Sequence, residues 1–168
     1  MATTRLSRLR RHIVTDRSQV RRAFPAAALA RIEQAIADGE RRHGGQVVFA
    51  IEPALPLARV HAGLTPRERA LEVFGLLRVW DTEYNNGVLV YMLLADHDVE
   101  IVADRGIHRH VGDAGWQAIC HRMESAFRDR RYADGVVAGL NEINALQARH
   151  YPRAGESADE LPNRPVVL

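Results

Sequence analysis

Polar residues that could bind a metal ion or move a proton are concentrated between positions 81 and 113. Carboxylate and amide oxygens together suit a hard cation such as calcium or magnesium. Imidazoles beside them would suit a softer divalent metal or act as general acid and base. The residue types predict a metal site with Asp81, Asn86, Asp104 and Asp113 as ligands and His108 and His110 as the catalytic candidates.

Each of these residues also has an ordinary structural explanation. Residues 85–87 (Asn-Asn-Gly) form turns readily, because asparagine and glycine tolerate the left-handed backbone region. Asp113 would satisfy free amides at a helix start. Two histidines in a basic loop are commonly solvated. Asp104 closes an apolar strand, where a charge usually has a partner, and Arg105 or Arg109 could supply it.

Strands and a helix are expected to position the candidate residues. Residues 46–52 and 88–94 are short apolar runs, the pattern of strands buried on both faces. Between them, residues 65–68 (Thr-Pro-Arg-Glu) have the form of a capping box with proline at the first helical position. This order implies a parallel pair with a right-handed crossover. Residues 96–98 are short enough to form a hairpin tip before a third strand over residues 99–103.

The hairpin would bring several loops to one rim of the sheet. The turn at residues 85–87 precedes the second strand and Asp104 follows the third, so antiparallel pairing places both at the same end. The end of the capped helix, with Asp81, should reach that end too. Residues 104–110 are expected to form a loop that leads to a helix beginning at Asp113.

Further helices complete the predicted domain. One is expected over residues 16–42, bent at its proline, and two amphipathic helices follow Asp113. Helical spacing places Trp80, Trp116 and Cys120 on apolar faces and so in the core. The pattern predicts an α/β sandwich with a small mixed sheet of about four strands flanked by helices.

Charge is distributed unevenly along the 168 residues. All 23 basic residues are arginine, and seven lie in residues 1–22 against one acid. We therefore expect a basic N-terminal arm over residues 1–22, a single domain over residues 23–150 and a flexible polar tail over residues 151–168. The arm could contact nucleic acid, anionic lipid or an acidic partner, or it could be solvated. No aromatic side chain lies among its arginines to stack on bases, which disfavours nucleic acid.

Several protein classes are excluded by missing motifs. The chain has no phosphate-binding glycine loop, dinucleotide fingerprint, HExxH pair or GxSxG elbow. Its one cysteine excludes an intramolecular disulfide. No apolar run is long enough for a secretory signal or a membrane span, so we expect a cytoplasmic protein that is not itself transmembrane.

Short motifs occur in a fixed order: Trp80, Asn85-Asn86-Gly87-Val88-Leu89-Val90, Val99-Glu100-Ile101-Val102, Gly106, Asp113, Phe127, Tyr132 and Gly135. Over about residues 20–150 this order resembles the TPM domain, also called the TPM phosphatase domain. The resemblance implies a Rossmann-like α/β/α sandwich, here in a short cytoplasmic branch without signal peptide or membrane anchor. Members are described as weak acid phosphatases, as calcium-binding proteins, or as accessory factors for membrane complexes or a receptor.

The sequence departs from the family pattern at positions that would carry charge. Asn85 replaces the aspartate of the usual Asp-Asn-Gly, and His108 replaces the glutamate of Gly-x-Gly-Leu-Glu. Asp104 replaces the first glycine of that motif, and Gly112 replaces a threonine. Losing two carboxylates weakens a calcium site, because calcium affinity follows ligand charge, and Asp104 could compensate in part.

Two hypotheses about function follow from the resemblance. The first is a non-catalytic accessory or interaction module for a protein partner, including a membrane-associated one. The alternative is a weak acid phosphatase assisted by a divalent metal, calcium or magnesium, that hydrolyses phosphomonoesters. The two hypotheses differ on whether the protein is an enzyme, and the sequence names no substrate and no partner.

Overall fold

A mixed sheet of four strands forms the middle layer of the computed structural model, which describes residues 5–153 and 161–168. The strands are β1 (Gln46–Glu52), β2 (Gly87–Leu93), β3 (Asp98–Ala103) and β4 (Val166–Val167). They are ordered β3-β2-β1-β4 across the sheet. Strand β1 is parallel to β2 and β4, whereas β2 and β3 are antiparallel. The predicted parallel pair, the hairpin and the α/β fold class are confirmed.

Helices cover both faces of this sheet. They are α1 (Arg5–Val14), α2 (Arg17–Ala23), α3 (Ala26–Glu40), α4 (Leu57–His61), α5 (Pro66–Leu76), α6 (Arg105–Arg128) and α7 (Tyr132–His150). Buried side chains of α3, α6 and α7 form a core on one face, and those of α4 and α5 form a core on the other. The sandwich explains why the central strands are apolar throughout.

The two strand faces belong to different cores. In β1, Val47, Phe49 and Ile51 join the core beneath α3, α6 and α7, whereas Val48 and Ala50 join the core beneath α4 and α5. All seven residues of β1 are buried, and so are all seven of β2. A polar substitution on either face of these strands would therefore lie in a core.

Helix α5 begins as predicted and ends earlier than predicted. The Thr65 side chain accepts a hydrogen bond from the Glu68 N–H, and the Glu68 carboxylate accepts one from the Thr65 N–H. After Leu76 the chain makes a turn in which Arg78 adopts the left-handed conformation, with φ 54°. This turn changes the helical phase, so Val79 enters the core and Trp80 is 49% exposed. The prediction that Trp80 is a core residue is wrong, whereas Trp116 and Cys120 are buried as predicted.

Helix α6 begins earlier than predicted. Residues 105–110, expected as part of a loop, are helical and follow Asp104, whose side chain accepts a hydrogen bond from the Arg105 N–H at 2.7 Å. The helix is interrupted at Gly112, with φ 71° and ψ 168°, so a second helical segment begins at Asp113. Glycine tolerates this backbone conformation, which joins two helices with different axes.

Both ends of the chain are more structured than expected. Helix α1 lies within the basic arm, and Arg8 and Arg11 bind Asp96 in place of solvent. Within the predicted tail, β4 pairs with Ala50 and Ile51 of β1. Residues 154–160 of the predicted tail lie outside the described residues.

Candidate functional site

The turn before β2 is joined to the start of α6 by backbone hydrogen bonds. The Gly106 N–H donates to the Asn85 carbonyl at 2.8 Å, and the Asp104 N–H donates to the Gly87 carbonyl at 2.8 Å. The hairpin therefore brings Asn86 and Asp104 to one end of the sheet, as the topology predicts. We call the turn at residues 85–87 together with residues 104–106 the rim junction.

Asn86 is buried in the rim junction and connects three parts of the chain. Its Nδ2 donates to the Gly44 carbonyl at 3.1 Å, and its backbone N–H donates to Thr82 Oγ1 at 3.1 Å. Its carbonyl accepts a hydrogen bond of 2.7 Å from Gln147 Nε2. Asn86 Oδ1, by contrast, has no hydrogen-bond partner among the described protein groups. The side chain therefore presents an unpartnered acceptor in a buried position.

Asp104 supplies a buried carboxylate at the same end of the sheet as Asn86. Its Oδ1 accepts the Arg105 N–H that begins α6, whereas its Oδ2 has no hydrogen-bond partner in the described part of the chain. None of the ion pairs between described residues includes Asp104. Burying an uncompensated carboxylate costs free energy, so a cation or an ordered water bound to Oδ2 would stabilise the fold.

Two more unpartnered oxygens come from the end of α7, and sequence reasoning missed both. Gln147 Oε1 and the Tyr151 hydroxyl are buried without a hydrogen-bond partner among described groups. Gln147 contacts Asn86, and the Tyr151 hydroxyl lies so close to Gly106 that a Cβ there would come within 2.8 Å of it. The available signal was a glutamine on the apolar stripe of α7, four residues after Ile143. We call Asn86 Oδ1, Asp104 Oδ2, Gln147 Oε1 and the Tyr151 hydroxyl the rim oxygens.

The other predicted ligands lie on the surface. Asp81 accepts a hydrogen bond of 2.6 Å from Arg78. Asp113 is exposed, and its nearest described charged partner is the half-exposed His108, with Nε2 and Oδ1 4.0 Å apart. Among the described residues, no group of three or more histidine, cysteine, aspartate or glutamate side chains is placed to share a metal ion. The structure therefore joins Asn86 and Asp104 and gives Asp81 and Asp113 other partners.

His110, the second catalytic candidate, packs against another histidine. Its ring stacks on His150 with centroids 4.4 Å apart, and the Tyr151 ring meets it edge-on at 6.1 Å. Burial and the neighbouring His110 lower the pKa of His150. Both histidines line a cleft of about 590 Å³ between α6 and α7, where Arg122 donates to Glu142 at 2.9 Å. No described hydrogen bond connects His110 to a rim oxygen.

Comparison with known proteins identifies the family. The TPM domain model matches residues 18–146 of this chain. The chain belongs to the TPM domain family. This confirms the resemblance seen in the motifs. No helix in the described part of this TPM domain combines the length and apolar content needed to cross a membrane.

Two solved structures are similar to this TPM domain. The BA42 protein of the psychrophilic bacterium Bizionia argentinensis has 26% sequence identity and a TM-score of 0.76, with 86% of this chain and 95% of that chain covered. The N-terminal domain of a protein from P. gingivalis has 15% identity and a TM-score of 0.60, with coverage of 78% and 83%, and shows the fold alone. The comparison with curated proteins gives no match.

An acidic cleft runs along β3, on the edge of the TPM domain sheet. Its volume is about 470 Å³, and its lining includes Asp98, Glu100, Glu124 and the arginine Arg67. Burial, followed by repulsion from Glu100 and Glu124, raises the pKa of Asp98 to about 7. Arg67 partly offsets this charge by donating to Glu100 at 3.3 Å. The cleft therefore contains a carboxyl group that is partly protonated near neutral pH.

The outward side of α5 carries large exposed apolar side chains. Leu71 and Leu76 project from the helix while Ala70 and Val73 fill the core on its other side. The exposed rings of Trp80 and Tyr84 follow in the next loop. We call these four residues, Leu71, Leu76, Trp80 and Tyr84, the α5 surface. The Arg78 guanidinium lies 5.8 Å from the centre of the Trp80 ring, a cation–π distance.

Proposed function

We propose that this TPM domain is a non-catalytic interaction module that binds a protein partner through the α5 surface. The observation that carries the proposal is the exposure of four large apolar side chains, the α5 surface, within one short stretch of the chain. Single exposed apolar residues are common on soluble domains, but a group that contains tryptophan, tyrosine and leucine is typical of an interaction site. Trp, Tyr and Arg are the residue types enriched at the energetic centres of protein interfaces.

The local packing supports binding at this surface over a structural role. The core below α5 is filled by Ala70, Val73 and Val79, and about half of Trp80 (49%) remains exposed in the isolated domain. Arg78 is held by Asp81 and reaches over the Trp80 ring, which restricts both side chains before binding. A partly ordered aromatic group loses less conformational freedom when a partner covers it.

Site-specific photo-crosslinking in the source cells tests this proposal. A photoreactive phenylalanine replaces Tyr84, and a matched variant carries it at Leu57, an exposed residue of α4. We expect a discrete adduct from position 84 that is absent from position 57 and is lost when Trp80→Ser is added. The proposal fails if position 84 gives no adduct, if both positions give the same adducts, or if Trp80→Ser leaves the adduct unchanged.

A second candidate function, metal-assisted phosphatase activity, draws support from the rim oxygens. Asn86 Oδ1 and Asp104 Oδ2 are hard oxygen ligands without partners among the described groups, and both belong to the rim junction. The single carboxylate limits the charge available to hold a divalent ion. Neither His108 nor His110 makes a described contact with these oxygens, so the observation favours cation binding more than catalysis.

Thermal unfolding with calcium, magnesium, manganese or zinc tests the cation part, since a ligand that binds only the folded state raises the Tm. We expect a rise with calcium or magnesium that is lost in Asp104→Asn and retained in Asp81→Asn and Asp113→Asn. A Tm rise that is lost in Asp81→Asn or Asp113→Asn would support the metal-ligand set predicted from the sequence. If no ion raises the Tm, the rim oxygens bind water. Hydrolysis of a phosphomonoester by the metal-loaded protein, lost in Asp104→Asn, would then establish the phosphatase.

A further inference from the structure

Helix α1 is attached to the domain through one face. Arg8 Nε donates to Asp96 Oδ2 at 2.9 Å, and Arg11 Nη2 donates to Asp96 Oδ1 at 2.9 Å. His12 is buried between α1 and the domain, and its Nδ1 accepts a hydrogen bond of 3.0 Å from the Leu55 N–H. These polar contacts, together with Leu9, which packs against the core beneath α4 and α5, position the helix and leave its opposite face toward solvent.

The opposite face of α1 is apolar and is not covered. Leu6, Ile13 and Val14 are 77%, 65% and 58% exposed. Positions 6, 10 and 13 follow helical spacing, so Leu6, Arg10 and Ile13 lie along one side of the helix. The helix thus leaves three large aliphatic side chains in water on the side away from its attachment, which is unusual for a surface helix of a globular protein.

Exposed arginines lie on α1 itself and on the helix that follows it. No ion pair between described residues includes the exposed arginines of α1 and α2, which are Arg5, Arg10, Arg17, Arg21 and Arg22. The one acid in residues 1–22, Asp16, accepts hydrogen bonds from the Ser18 and Gln19 N–H groups at the start of α2. Residues 5–22 are therefore strongly cationic, and their one acid, Asp16, attracts Arg21.

We propose that the outer face of α1 binds the surface of an anionic lipid bilayer. Leu6, Ile13 and Val14 would enter the headgroup region, and Arg5 and Arg10 would contact lipid phosphates. A helix that combines aliphatic side chains with flanking basic residues is the type that lies in a membrane interface. Anionic lipid attracts each nearby basic side chain electrostatically, and burial of the aliphatic groups adds a hydrophobic contribution.

The side chains of this face favour lipid over nucleic acid. A nucleic acid would engage the arginines through its phosphates, but it offers no apolar environment to Leu6 or Ile13. Single-stranded nucleic acid is usually bound with aromatic side chains on which bases stack, and residues 5–22 contain none. The proposal uses different residues from the α5 surface and does not depend on the function proposed there.

Vesicle flotation of the full chain tests the proposal with phosphatidylcholine vesicles and with vesicles that also contain phosphatidylglycerol. We expect binding only to the phosphatidylglycerol vesicles. Arg5→Gln/Arg10→Gln should lower the partition coefficient about thirtyfold. Leu6→Ser/Ile13→Ser should also lower it at least about tenfold while retaining all the arginines. The matched control, Leu71→Ser/Leu76→Ser on the α5 surface, should bind as the parent does.

Four results would overturn the proposal. The first is equal binding to both vesicle types, and the second is no binding to either. The third is full binding by Leu6→Ser/Ile13→Ser, which would indicate adsorption through charge alone. The fourth is tighter binding to duplex DNA than to phosphatidylglycerol vesicles at equal salt, which would assign the face to nucleic acid. Because Leu6 and Ile13 are exposed, their variants should fold normally, and thermal unfolding verifies this.

Discussion

The Tyr91 hydroxyl donates a hydrogen bond of 2.7 Å to Glu52 Oε2, and both residues are buried where β1 and β2 end. Arg69 donates from Nε to the same oxygen at 2.8 Å and from Nη2 to the other oxygen at 3.1 Å. Burial, followed by the nearby carboxylate, raises the pKa of Tyr91, so the phenol remains protonated and donates. The buried carboxylate is therefore fully paired between a strand and α5.

Removing single members of this group should destabilise the fold unequally. Tyr91→Phe removes one of several donors and should lower the free energy of unfolding by about 1 kcal/mol. Arg69→Met leaves Glu52 buried without a countercharge and should cost about 3–5 kcal/mol. Urea unfolding measures both changes. The double variant Glu52→Gln/Arg69→Met should be more stable than Arg69→Met alone, and the opposite order would contradict this account.

The acidic cleft should make stability depend on pH through Asp98. Its folded pKa of about 7 lies above its ordinary value of 3.8, so between these values only the unfolded chain has released the proton. Stability should therefore fall as the pH rises across this window and become level above it. Asp98→Asn should raise the free energy of unfolding by about 1–2 kcal/mol at about pH 8 and should change it little at about pH 4.

A second variant in the cleft tests whether repulsion by a neighbouring carboxylate helps to raise the pKa of Asp98. Glu124→Gln removes one repelling carboxylate that faces Asp98 and should move the sloping region of the stability curve to lower pH. Urea titrations across the pH range give both curves. A parallel displacement of the whole curve, with its slope unchanged, would show that Asp98 is not the titrating group.

The two tryptophans should respond differently to truncation. Trp80→Ala should lower the free energy of unfolding by about 1 kcal/mol, because Trp80 is 49% exposed. Trp116→Ala should cost about 3–5 kcal/mol, because that ring is buried beneath α6. Denaturant titration of both variants provides the measurement. A cost for Trp80→Ala as large as that for Trp116→Ala would mean that the ring is packed in solution.

The attachment of α1 should weaken in acid. Burial lowers the pKa of His12 below its ordinary value of 6.5, so its protonation favours the detached helix as the pH falls below that value. Burial would raise the pKa of Asp96, but hydrogen bonds from Arg11 and Arg8 hold this pKa below its ordinary value. When Asp96 is protonated at still lower pH, both arginines lose their charged partner. Hydrogen-exchange protection of α1, corrected for intrinsic rates, should therefore decrease below about pH 6.

A substitution at position 96 provides the control for this effect. Asp96→Asn should reduce the protection of α1 at neutral pH while leaving β1 and β2 protected, because the arginines then lose their charged partner. If α1 in Asp96→Asn remains as protected as in the parent chain, the helix is held by other contacts.

The sequence predicted best the elements whose signals are local. The apolar runs of β1 and β2 and the capping box at Thr65 required no knowledge of distant residues. Trp80 was misplaced because one left-handed residue, Arg78, shifts the phase of the chain after α5. The start of α6 was misplaced because Gly112 interrupts the helix and made its first two turns resemble a loop.

The candidate site was predictable to the extent that the hairpin determines it. Pairing of β2 with β3 places Asn86 near Asp104, and that much follows from strand order. Gln147 and Tyr151 enter the same region from α7, and no local pattern specifies how a distant helix is packed. Asp81 and Asp113 lie near this region in sequence, but their side chains have other partners.

The pairing of β4 with β1 has a consequence for synthesis of the protein. Val166 and Val167 are made long after Ala50 and Ile51, so one edge of β1 stays open while nearly all of the chain emerges from the ribosome. An exposed apolar strand edge is a template for pairing with other nascent chains, and contacts distant in sequence form late in folding. A chain that ends before residue 161 should therefore aggregate more during refolding, as measured by light scattering, because β4 then no longer covers Ala50 and Ile51 on that edge.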